Sequence, residues 1–163
     1  MNILALSLNN YNSNYFYCLD SKPNLIMNGN FTKINYTHPH FTMNGLFYSI
    51  PLASSFVENA SENTHFVHFD TTVSANKAIL DSIIKLEYEI LHNYAAAAAL
   101  IPNTKIMSRY MYKQLSKGKI KINGENTVIH SKNNKIVLKI SGVWENETEY
   151  GMTFRWVYAN MIQ

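Results

Sequence analysis

A single cysteine, Cys18, excludes any disulfide within the chain and fits a reducing compartment. Six glycines and four prolines leave little material for phosphate-cradling loops. No P-loop, Rossmann glycine pattern, G-x-S-x-G or H-E-x-x-H stretch is present. No apolar run approaches the ~20 residues of a membrane-spanning helix. Charged residues are sparse, at 15%, while 47% of the chain is hydrophobic, which is too apolar for a disordered polypeptide. The apolar start at 1–8 lacks a basic leader region and stops at Asn9-Asn10, so it reads as a first strand rather than a signal peptide. These features together predict an intracellular protein without a membrane partner. The 163 residues fit a single domain spanning 1–163.

Catalytic and metal-binding patterns are equally scarce. His38 and His40 straddle a proline, and His65 and His68 fall on opposite faces of a strand; neither pair has a cysteine nearby. Zinc sites need three or four ligands, so neither pair makes one. Cys18 sits in an aromatic strand, where a buried thiol is the expected role. Glu145, Glu147 and Glu149 alternate in a turn between strands and read as a solvated hairpin tip. The expectation is a non-enzymatic protein with no cofactor and no metal.

Period-two alternation with Tyr, Phe and Ile enrichment predicts strands near 3–8, 15–19, 25–27, 31–36, 45–52 and 65–70. Asn28-Gly29-Asn30 is a hairpin turn signal between two of them. Apolar residues Ile79, Ile83, Leu86 and Ile90 then recur at helical spacing over 74–94. Ser74 is the expected N-cap, and the alanines at 95–99 extend the helix to about residue 100. A second helix is expected over 104–117, stopped by Gly118. Strands at 119–122, 135–141 and 151–158 close the chain, with turns at Asn123-Gly124 and Asn133-Asn134. Strands, two consecutive helices, then strands, without βαβ alternation, predict an α+β fold with a mainly antiparallel sheet or small barrel.

Charge is the least random feature. Residues 101–140 hold nine basic side chains against the single acid Glu125, a balance of +8, whereas the rest of the chain has five against ten, or −5. Lys105, Arg109, Lys113 and Lys117 are four apart and form one stripe if 104–117 is helical, with Met107, Met111 and Leu115 opposite. Lys119 and Lys121 alternate with Ile120 and Ile122, and Lys135 and Lys139 oppose Ile136, Leu138 and Ile140. Each element thus offers one basic and one apolar face, the pattern of a surface that tracks a phosphate backbone. Aromatics number 21, with Tyr110 and Tyr112 inside the basic segment and Trp144 and Trp156 nearby. Single strands are held by such a combination, phosphates on cations and bases on rings.

Three stretches carry a resemblance: 31–36 leading into 41–47, residues 114–122, and 138–145 continuing to 150–154. Together they resemble small replication-type single-stranded-DNA-binding proteins of DNA viruses and phages. The resemblance implies an OB-like barrel and cooperative, largely sequence-independent binding of single strands; a homo-oligomer is a separate expectation. A simple OB barrel carries one helix where this chain has two. The expected site comprises Lys105, Arg109, Lys113, Lys117, Lys119, Lys121, Lys135 and Lys139 for phosphates, with Tyr110 and Tyr112 for bases. The rival expectation is a structural or assembly protein, such as a minor virion component, whose basic segment faces an acidic partner.

Overall fold

The computed structural model describes residues 4–123 and 134–160. Its strands are β1 (Phe16–Pro23), β2 (Asn30–His38), β3 (Phe41–Asn44), β4 (Leu46–Ile50), β5 (Phe56–Ser61) and β6 (Thr64–His68). Helix α1 (Ser74–Ala97), β7 (Ile106–Ser108), α2 (Tyr110–Leu115), β8 (Lys119–Asn123), β9 (Asn134–Glu145) and β10 (Glu149–Asn160) follow. The expected α+β class holds, with sheet dominant and two helices between the strand groups.

The sheet is neither a closed barrel nor purely antiparallel. Its main path runs β1-β2-β9-β10-β8-β6-β5, so β1 and β5 are open ends rather than barrel neighbours. The long β9–β10 hairpin is the spine, registered from Glu145↔Tyr150 to Asn134↔Asn160. Both β2 and β4 pair with β9 along its other edge. The free edge of β10 takes β7 in parallel at Glu149–Gly151 and meets β8 in parallel at Trp156↔Ile122. The sheet is thus mixed and not closed into a barrel, and the OB-like barrel expectation is not confirmed.

Alternation sorts the spine into two faces. Leu138, Ile140, Val143, Met152 and Trp156 turn inward with Ile34, Tyr36, Leu46 and Tyr48, and all are buried. They meet the apolar stripe of α1, where Leu80, Ile83, Leu86, Ile90, Leu91 and Tyr94 are buried. Ile90 and Leu91 are fully buried in this layer. The opposite face carries Phe47, Lys139 and Arg155, which fall in register on adjacent strands, and Lys33, which lies across from Gly142.

Local departures from the expected elements have local causes. Val73, not Ser74, occupies the N-cap of α1, without a side-chain cap. The helix start is fixed instead by buried Asn76, which accepts from the Ala53 amide (2.8 Å) and donates to the Ala53 and Asp70 carbonyls (3.0 and 2.9 Å). The 3–8 strand reduces, among described residues, to the bridge Leu6↔Tyr48 followed by a 3-10 turn at Leu8–Asn10. Residues 25–27 form the exposed β1–β2 tip, where the Asn24 side chain accepts from the Ile26 amide at 3.0 Å. Gly45 is not part of a strand. It breaks β3 from β4 with φ +90°, and an added Cβ would lie 2.5 Å from the Ile140 carbonyl oxygen. Strands β3 and β5 went unanticipated because neither has a sustained apolar alternation; β5 is exposed along its whole length. The turns expected at Asn123-Gly124 and Asn133-Asn134 fall largely outside the described residues.

Candidate functional site

The expected second helix is split. Asn103 (φ +65°) turns the chain, and the Ile106 amide donates to the Thr148 carbonyl at 2.9 Å, which starts β7 instead of a helix. Only Tyr110–Leu115 is helical, with Met111 and Leu115 buried as the alternation required. Gly118 (φ +63°) then ends the turn, as expected. A four-residue repeat of basic side chains fits a helix in isolation, but the unpaired edge of β10 captures residues 106–108 as strand. The continuous Lys105-Arg109-Lys113-Lys117 stripe therefore does not exist.

Its members have separate roles. The Lys105 ammonium is bound to the Glu145 carboxylate and donates to the Asn146 carbonyl at 2.6 Å, tying the start of β7 to the β9–β10 turn. Burial alone would raise the Glu145 carboxyl, but Lys105 and the Tyr94 hydroxyl outweigh it and hold the group below the usual carboxylate range. Arg109 lies between the rings of Tyr88 and Tyr112, with Nε 3.8 Å from Glu87 and a guanidinium N–H donating to the Ile84 carbonyl at 3.3 Å. Glu87 is fully buried and accepts from the Met111 and Tyr112 amides at 2.9 and 3.0 Å, so α1 caps α2. Burial pushes the Glu87 carboxyl above its ordinary value against these amides and Arg109. Lys105, Arg109 and Tyr112 thus serve the architecture. Lys135 lies apart, beside Ser49, Pro51 and Ile79 at the far end of β9. The three glutamates also separate: Glu149 accepts from the Ser108 hydroxyl, and Glu147 is exposed.

The remaining residues converge. Where β7 and β8 part along the edge of β10, α2 spans the gap and leaves a groove of about 640 Å³. Lys113, Lys117, Lys119, Lys121 and Tyr110 line it, as the sequence suggested, together with Phe66, Gln114, Asn123, Phe154, Arg155 and Trp156. Five cations and four aromatic rings border this space, and among the described residues no carboxylate does. Among the described residues Lys113, Lys117, Lys121 and Arg155 make no ion pair. Lys119 alone is shared, 3.5 Å from Glu58.

Cations and rings are already coupled here. The Lys119 ammonium lies 3.8 Å from the centroid of Phe66, and that of Lys113 lies 5.1 Å from Tyr110. Tyr110 in turn stacks on Trp144 at 6.0 Å and is 45% exposed. The Trp156 indole donates to Gln114 at 2.9 Å and is buried, making it the floor rather than a stacking surface. Trp144 is likewise buried beneath Tyr110.

Arg155 and Phe66 went unrecognised in the sequence because both lie outside the basic segment. The β10 alternation could have revealed the first: Met152, Phe154 and Trp156 share one face, leaving Arg155 opposite. Lys139 lies on the same outer face, directly across from Arg155 and 5.2 Å from the Phe47 ring. Partial burial, then Arg155 and Lys33, lower its ammonium below the ordinary lysine value. Comparison with family models, with curated proteins and with solved structures found no match to this chain.

Proposed function

We propose that this protein is a non-enzymatic binder of single-stranded nucleic acid, DNA in a viral or phage-like replication setting, and that the groove between α2, β8 and β10 holds the strand. The observation that carries this reading is the lining itself: five cations and four rings in one concavity with no opposing carboxylate among the described residues. Clustered unpaired cations repel one another, and neutralisation by phosphates removes that cost. Lys113, Lys117, Lys119, Lys121 and Arg155 take the phosphates. Tyr110 and Phe66 offer ring faces to bases, an arrangement tolerant of sequence because every base has a π-face. The resemblance to viral single-strand binders agrees with this chemistry. The reading needs no barrel, only a basic groove with rings beside it. Competition between labelled oligothymidine and unlabelled duplex for the purified protein tests it: single strands should win, and equal competition would refute it.

A further inference from the structure

Beyond the groove, the outer face of the sheet carries a second concavity of about 770 Å³ beneath the β1–β2 tip. Leu19, Leu25, Ile26, Phe31 and Lys33 border it, and Asp20 is its one acid among the described residues. Leu25 and Ile26 are 99% and 96% exposed. Two large aliphatic side chains this bare at one tip mark a surface that something covers. Phe31 packs on Gly142, where an added Cβ would sit 2.6 Å from a ring carbon, so its ring is fixed against the sheet.

The two concavities are joined by register. Arg155 borders the groove, and Thr153, two residues earlier on the same strand, borders the second pocket. Lys139 lies across from Arg155, while Lys33 and Thr153 both lie across from Gly142. Arg155, Lys139 and Lys33 are near enough for the first and last to disfavour the charged form of the middle one. Three mutually repelling cations bridging a basic groove to an apolar pocket form a path whose charge complements a polyanion.

We infer that a bound single strand leaves the α2 groove across Arg155, Lys139 and Lys33 and places a base between Phe31 and the Leu25–Ile26 tip. This rests on the groove reading and extends it from one site to a track. From β6 to β1 the path crosses five strand spacings of about 4.8 Å, roughly 24 Å in all. That accommodates about seven nucleotides at the ~3.4 Å stacked spacing, against about three for the groove alone.

The test compares dT4 with dT12 on the full chain and on a Lys33→Gln/Ile26→Ser variant, with sedimentation velocity run on both proteins. Both positions are exposed, so the fold tolerates the change. The track predicts that the variant binds dT4 as the native chain does and loses at least about fivefold on dT12. Equal affinity for dT12 overturns the track and leaves the groove reading standing, as does an equal loss on both lengths. A native dimer that the variant abolishes, with dT12 affinity unchanged, assigns the tip to a second copy of this chain and also overturns the track. Failure of the native chain to bind either oligonucleotide overturns both readings.

Discussion

Replacing Lys113 and Lys121 by glutamine removes two of the five groove cations without touching the core, since both side chains are exposed. Each phosphate neutralised on a single strand contributes about 0.7 to the slope of log affinity against log salt. The groove spans about three nucleotides, so its five cations share about three phosphates and give a slope near −2.1, and the three that remain give about −1.3. Between 50 and 200 mM salt the native groove should lose about 18-fold in affinity and the double variant about sixfold. Fluorescence polarisation with labelled dT30 at several salt concentrations reads both slopes. A Lys77→Gln/Lys85→Gln protein, altered on the exposed face of α1, controls for net charge. If the groove variant and this control show the same slope, the groove is not where phosphates bind.

Further outcomes follow from individual contacts. Tyr110→Ala should weaken single-strand binding by about 1–3 kcal/mol while leaving the urea midpoint nearly unchanged, because the exposed ring is a stacking surface. Glu87→Ala should destabilise the fold by about 3–5 kcal/mol in urea titration, since it strands two α2 amides and the Arg109 guanidinium. Burial holds the folded Glu87 carboxyl above its ordinary value, so the folded state keeps that proton more tightly than the unfolded chain. Stability from this group is thus lost as pH rises from about 4.3 through the raised folded value. Glu87→Gln should remove this pH dependence, so that the native-minus-variant stability difference falls as pH rises across that window in denaturation curves taken at several pH values. Gly118→Ala should cost about 1–3 kcal/mol by thermal melting, because φ is +63° and the new Cβ would lie 2.6 Å from the Phe69 carbonyl oxygen.

The sequence was most informative where one physical signal acts alone. The spacing of Ile79, Ile83, Leu86 and Ile90 announced α1, and Asn28-Gly29-Asn30 announced the β1–β2 turn, because periodicity and backbone preference are local. Gly118 was legible for the same reason. The alternation of Lys119 and Lys121 with Ile120 and Ile122 gave the correct faces of β8. The Lys105–Lys117 stripe failed because its fate depends on the edge of β10, some forty residues later, which draws residues 106–108 into the sheet. Lys105 and Arg109 lie outside the groove lining, held by Glu145 and Glu87, acidic partners remote in sequence. Phe66 and Arg155 joined the site only through pairings between β6, β8 and β10. The charge asymmetry identified half of the groove wall, and topology supplied the rest.

The most direct test of the groove account is polarisation of labelled dT30 against the matching duplex at 50 and 200 mM salt. The account predicts tighter binding to the single strand, with a steep loss as salt rises. Absence of binding at low salt, or a preference for duplex, would contradict it.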